Sequence, residues 1–260
     1  MNGLTIFTHS IRQVVGNLGM AARISGGFWL LMILAAFAYG FLVTLSKSNF
    51  LGIVLGIALL IFLVWGISMV AVVWHRYILL EERPNGFLPT REGLNIWPYF
   101  WYGIGIALIV IVAIGLLLLA ATLVMDAKEI LAAFDQNNVS MAPRDMALRF
   151  AVGLLSSLIY LRLALILPAV ALSEQLTIRE SWSETKGYSM AILGVAVLLT
   201  LLNTVASFLF GVVQFAVQGA PFLVLLVTFA FLLFQWFYFM LNISILSTLY
   251  GHIVQKREVY

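Results

Sequence analysis

The sequence predicts an all-α fold, a polytopic helical membrane bundle of six transmembrane helices with an N-terminal amphipathic interfacial helix and a short cytoplasmic helix. Two observations predict it. Of 260 residues, 63% are hydrophobic and only 10% are charged, against about 25% charged in soluble domains. The apolar residues fall in blocks that reach the ~20 residues a membrane span needs. There is no cysteine, so neither disulfides nor thiolate metal sites organise the chain. One integral membrane domain, residues 1–260, accounts for the whole.

Residues 1–25 lack the compact apolar core and small-residue cleavage site of a signal peptide. Leu4, Phe7, Ile11, Val14, Val15 and Leu18 recur at helical spacing, with His9, Arg12, Gln13 and Asn17 opposite them. The pattern describes an interfacial helix on the membrane surface, or a solvated helix packed on the bundle.

The spans fall near 27–46, 50–74, 98–125, 148–173, 189–217 and 221–250. "SKSN" joins the first pair and "QGAP" the last, connections short enough to force antiparallel neighbours. Gly52 and Gly56 in the second span would admit a close helix neighbour. Basic residues set the orientation. Nine (Arg12, Arg23, Arg76, Arg83, Arg91, Arg179, Lys186, Lys256, Arg257) fall on one side and four (Lys47, Lys128, Arg144, Arg149) on the other. Both termini are therefore expected in the cytoplasm.

Residues 126–147 form the sizeable external loop, with a short amphipathic helix expected over 127–135. "NVS" at Asn138 fits a glycosylation acceptor but is read as chance. The two cytoplasmic loops echo one another, "RYILLEERPNGFLPTREGLNIWPYF" from Arg76 and "RLALILPAVALSEQLTIRESWSETKGY" from Arg162. Either a two-helix repeat or similar interfacial chemistry would produce this. In the second loop Thr177 and Glu180 form a capping box that starts a short helix. Ile178, Trp182 and Thr185 would line one face of it, with Gly187 as its stop.

"LPAVALSEQLTIRESWSETKGY", with Pro168, Glu180, Ser181, Trp182, Thr185, Lys186 and Gly187 in the key places, resembles a segment of bacterial six-helix integral membrane proteins. These include the membrane domain found beside some glycerophosphodiester phosphodiesterases. "VVWHRYILLEE" likewise looks like a stretch in alphaproteobacterial relatives. The resemblance implies a fold and a bacterial inner-membrane location. It does not imply phosphodiesterase activity, because these residues carry no such soluble domain.

Chemistry is sparse. The spans contain no Asp or Glu at depth, which argues against proton or sodium coupling. The three histidines (9, 75 and 252) lie at predicted membrane edges without metal-site spacing. No phosphate-cradling glycine loop is present. An enzyme is not expected, nor a cofactor, nor nucleic acid as a partner; membrane lipids and other membrane subunits are.

The candidate contacts are Arg162, Pro168, His75, Arg76, Arg179, Glu180 and Trp182. His75 and Arg76, with Glu81, Glu82 and Arg83, describe a cytoplasmic rim that touches anionic headgroups or a partner, or else serves topology and local ion pairing. Asn203, Ser207, Gln214, Gln235 and Asn242 either line a cavity or stitch helices together. Arg162 is the anomaly, roughly 18–20 Å of helix from Arg149 or Glu174. Pro168 would kink that helix and free the Ala164 carbonyl; freed carbonyls, Asn203 and Gln214 are the expected acceptors for the guanidinium. Two functions follow: a scaffold, assembly factor or accessory subunit, and alternatively a small transporter or lipid-handling protein.

Overall fold

The computed structural model describes residues 2–83, 94–134 and 143–258. Arg91, Asn138 and the later part of the first loop motif lie outside the described residues. Among the described residues ten α-helices run in order. They are α1 (Gly3–Gly16), α2 (Leu18–Ser46), α3 (Asn49–Leu80), α4 (Ile96–Ala121), α5 (Ala127–Ala133), α6 (Pro143–Leu163), α7 (Ile166–Ala171), α8 (Ile178–Glu184), α9 (Ser189–Ala216) and α10 (Pro221–Ile253). Six helical segments are long and apolar enough to cross a membrane, and the chain is a multi-pass integral membrane protein.

Several boundaries move from their sequence-based positions. The first span begins at Leu18 and not near 27, because Ala21, Ile24 and Ser25 extend it as a packed helix. The second runs on to Leu80, past His75 and Arg76, whose polar groups find partners there. The fourth changes most. Instead of one span over 148–173, α6 ends at Leu163, and after a two-residue turn the buried α7 begins.

Pro168 explains that break. It has no N–H to give the Ala164 carbonyl, which accepts from Leu167 N at 3.0 Å instead. Leu167 thereby turns from Leu163, whose carbonyl takes the Ser181 hydroxyl at 3.0 Å. The same hydroxyl reaches the Arg162 carbonyl at 2.7 Å. Pro168 itself is buried within α7, where it shapes the chain.

The hairpin turns follow local rules. Lys47 closes α2 in the left-handed region with φ 49°, and the Ser48 hydroxyl accepts from Leu51 N to start α3. Pro221 occupies the first turn of α10, where its missing N–H is not needed. The capping box of α8 forms as expected, with Glu180 N donating to Thr177 Oγ1 at 3.2 Å and Thr177 N to Glu180 Oε2 at 2.7 Å. These bonds from the Thr177 backbone and then its hydroxyl hold the Glu180 carboxyl below its ordinary pKa. Gly187 does not stop the helix. It sits in a 3-10 turn, Thr185–Tyr188, that leads into α9. The buried face is Ser181 and Thr185, with Ile178 half-buried against the core, while Trp182 is exposed.

The core is concentrated at one end, here called the packed end. It holds α1, the second half of α3, α7, the first half of α9 and the second half of α10, with Trp74, Leu165, Ile192 and Leu246 fully buried. Hydrogen bonds run across its seams: Trp74 Nε1 to Ser244 Oγ at 2.8 Å and Trp236 Nε1 to Ser25 Oγ at 2.7 Å. Side chains also satisfy helix C-terminal carbonyls, as when Arg257 donates to Leu79 O at 2.7 Å and Asn95 to Val170 O at 3.1 Å. At the opposite, open end the helices present Phe37, Phe50, Leu123, Phe215 and Phe222 outward, as lipid-facing surfaces do.

Helix α1 docks on α9 and α10, and its buried face differs from the expected one. Gly3, Ile6, Ser10 and Val14 are buried, while Leu4, Val15 and Leu18 are exposed. Small residues decide this, because close backbone approach brings dispersion and hydrogen bonding that a large apolar face does not. A Cβ on Gly3 would lie 2.7 Å from the Ala191 carbonyl oxygen, and Ser10 shares a 3.0 Å hydrogen bond with Thr248. The exposed apolar arc is left for lipid. Similarly, Gly52 and Gly56 meet only ordinary contacts, and the tight α2–α3 approach occurs at Gly66 against Phe28.

Candidate functional site

The sequence-singled residues do not converge on one site. His75 is fully buried, which removes it from any headgroup-contacting rim. Its Nδ1 lies 2.8 Å from Ser247 Oγ and its Nε2 3.2 Å from Tyr99 OH. Ser247 gives its proton to the Ile243 carbonyl; in the neutral ring, Nδ1 therefore donates to Ser247 and Nε2 accepts from Tyr99. Arg76 pairs with Glu82 at 2.7 and 2.8 Å and donates to the Ala171 carbonyl at 3.1 Å. Local ion pairing and the capping of α7 account for it. Arg179 and Glu180 are exposed on α8.

Arg162 is not in the middle of a helix. Since α6 ends at Leu163, Arg162 lies in its last turn, where a cation also favours the helix dipole. Its Nη2 donates to Ser189 Oγ at 2.7 Å, and the guanidinium lies 4.9 Å from the ring centroid of Trp182. Asn203 and Gln214, the expected acceptors, line a cavity elsewhere. Arg162 thus ties the end of α6 to α8 and to the start of α9. Arg162→Leu is expected to cost about 2 kcal/mol, for one charge-assisted hydrogen bond and a partly exposed cation–π contact. Arg162→Lys should fall between the two. Thermal unfolding in detergent measures this, and a leucine variant as stable as the parent would remove the structural role.

The chamber is the feature that brings functional groups together. It has a volume of about 610 Å³ and lies among α6, α9 and α10, with Phe134 from the end of α5. Helix α9 builds one wall from sequence spacing alone: Thr200, Asn203, Ser207, Gly211 and Gln214 recur at intervals of three and four, one face of an α-helix. Helix α6 contributes Arg149, Gly153, Ser156 and Ser157 at the same kind of spacing. The two helices meet at Gly153, where an added Cβ would fall 2.9 Å from Thr200 Cγ2. Phe210, Phe231, Phe234 and Tyr238 form an aromatic chain with centroids 5.0 to 6.4 Å apart, and three of them line the chamber. It is therefore polar on its α6–α9 side and aromatic where α9 meets α10. A second cavity of about 320 Å³ lies against α4 and shares Ser156 and Ser157 with the first.

Two of the lining residues each carry a buried polar atom without a partner, Arg149 Nη2 and Thr200 Oγ1. Arg149 Nε donates to the Ala133 carbonyl at the end of α5, which fixes one edge of the guanidinium. Nearby, Arg144 pairs with Glu129 at 2.8 Å, and that bond holds the Glu129 carboxyl below its usual range.

Sequence reasoning named Asn203, Ser207 and Gln214 as possible cavity residues and missed Arg149, Ser156, Ser157, Thr200 and Thr204. The helical period of polar residues on α9 carried the signal. Gln235 and Asn242 do not line the chamber, and Asn242 gives its amide to the Tyr238 carbonyl at 2.8 Å. Fold and chamber together define a class, the helical membrane protein with an amphipathic intrabundle cavity. No family model, curated protein or solved structure matches the chain.

Proposed function

We propose that the protein binds and handles an amphipathic, lipid-class molecule in the chamber between α6, α9 and α10. The observation that carries this reading is the two-sided lining, hydroxyl and amide groups on one side and phenyl rings on the other. Its volume of about 610 Å³ falls in the range of small-molecule sites, roughly 300–1,000 Å³. The reading is non-enzymatic and uncoupled: among the described residues, the lining contains no Asp, Glu, His or Lys that would serve as a general base or an ion-coupling group. The nine-to-four asymmetry of basic residues supports placing the packed end and both termini in the cytoplasm of a bacterial inner membrane. Kinship with bacterial six-helix membrane proteins belongs to the same proposal and rests on the segment around Pro168 and Trp182. Reporter fusions after Phe134 and at the C-terminus are expected to report opposite sides; the same side for both would refute the topology.

Ser207→Trp would fill the chamber from α9. Native mass spectrometry of the parent is expected to show a retained amphiphile that survives delipidating detergent, and the tryptophan variant should lose it. A scaffold or accessory subunit, the other function considered, predicts no such loss. A parent protein that retains no amphiphile would overturn the proposal.

A further inference from the structure

We infer that the chamber selects an anionic amphiphile, with the anionic headgroup seated on Arg149 and the chain directed inward along the aromatic side. This rests on the lipid-handling reading above and adds the charge of the ligand and its direction.

Arg149 is the seventh residue of α6, and Gln214 lies two residues before the end of α9. Both therefore sit near the open end, within ~9 Å of a helix terminus at 1.5 Å per residue. Headgroups of membrane amphiphiles lie at that level. From Gln214 to Thr200 the lining runs ~21 Å along α9, deep enough to take part of an acyl chain beside Phe231 and Tyr238.

The charge of the ligand follows from the guanidinium. With Nε held by the Ala133 carbonyl, Nη2 is buried and without a partner. A buried cationic donor in that condition is costly unless an anion or acceptor completes it. Asp145, one turn earlier on α6, is buried but does not line the chamber. Among the described residues that line the chamber the other polar groups are neutral, so the charge that Arg149 brings to the lining is positive. A phosphate or carboxylate in the chamber would pair with the Arg149 guanidinium through a charge-assisted hydrogen bond, while a zwitterionic headgroup brings its own cation into the same space.

The test uses the full-length protein in detergent, with phosphatidylglycerol and phosphatidylcholine of identical chains as probes and native mass spectrometry as the readout. Phosphatidylglycerol is expected to bind ~10-fold more tightly, the worth of one charge-assisted hydrogen bond. Arg149→Gln should bring the ratio close to one, and Arg149→Lys should keep most of it. Thermal unfolding of each variant establishes that it is folded. Glycerol phosphate, which has the headgroup without the chain, should displace the lipid weakly. Equal binding of the two lipids by the parent, or an unchanged ratio in Arg149→Gln, overturns the inference and leaves the lipid-handling reading standing. Displacement by glycerol phosphate as effective as by the lipid also overturns it, because the site would then be one for a soluble anion. If neither lipid binds, both readings fall.

Discussion

Gly66→Leu is expected to cost about 3 kcal/mol or more and to open the α2–α3 hairpin at the packed end. A Cβ on Gly66 would fall 1.8 Å from the Phe28 ring, well inside van der Waals contact. Phe28 has nowhere to retreat: it is 2% exposed, and its ring centroid lies 6.2 Å from Trp29 and 6.0 Å from Phe62. The leucine must therefore expel the phenylalanine or separate the helices. The double variant Gly66→Leu/Phe28→Ala returns the lost volume and should recover a large part of the stability. Thermal unfolding in detergent of the four proteins forms a double-mutant cycle. If the single variant melts with the parent, this contact contributes nothing to the packed end.

His75→Leu is expected to cost ~1–3 kcal/mol, chiefly because it strands the Tyr99 hydroxyl. That hydroxyl gives its proton to His75 Nε2 at 3.2 Å in a fully buried setting. Ser247 suffers less, since its own proton already goes to the Ile243 carbonyl. Removing the stranded group should therefore rescue the fold, and His75→Leu/Tyr99→Phe is expected to be more stable than His75→Leu alone. The same unfolding assay decides it. A double variant no better than the single would mean that His75 stabilises through ring packing and not through its hydrogen bonds.

The two residues that sequence reasoning weighed most, His75 and Arg162, show where it succeeded and where it could not. The six long apolar helices, the tight hairpins, the capping box and a break caused by Pro168 were legible because each depends on local chemistry; that the Ala164 carbonyl takes Leu167 N and not the Arg162 guanidinium was not. What the apolar run over 163–172 touches was not. A residue is apolar whether it faces lipid or a protein core, so α7, buried among α3, α4 and α10, read as the continuation of a span. That error alone made Arg162 look stranded. The α1 face was legible in part: Phe7, Ile11 and Val14 of its apolar stripe pack on the core, but small residues such as Gly3 and Ser10, which carry no apolar signal, make the close contacts with neighbouring helices. The chamber was half legible. Its α9 residues could be named from polarity within a span, but Arg149 counted only as a loop charge until α6 was seen to begin at Pro143.

The docking of α1 sets a timetable for biogenesis. Ser10 and Thr248 are 238 residues apart in sequence yet share a hydrogen bond, and Gly3 packs on Gly194. At ~5–20 residues per second, the ribosome needs about 12–48 s to deliver the second partner after the first. Throughout that interval α1 has emerged with its seat unbuilt. Its exposed Leu4 and Val15 suit it to wait on the bilayer, and α1 docks fully only when α10 arrives. Closure of the packed end at this seam thus awaits α10: a chain cut short before Thr248 leaves Ser10 without that partner.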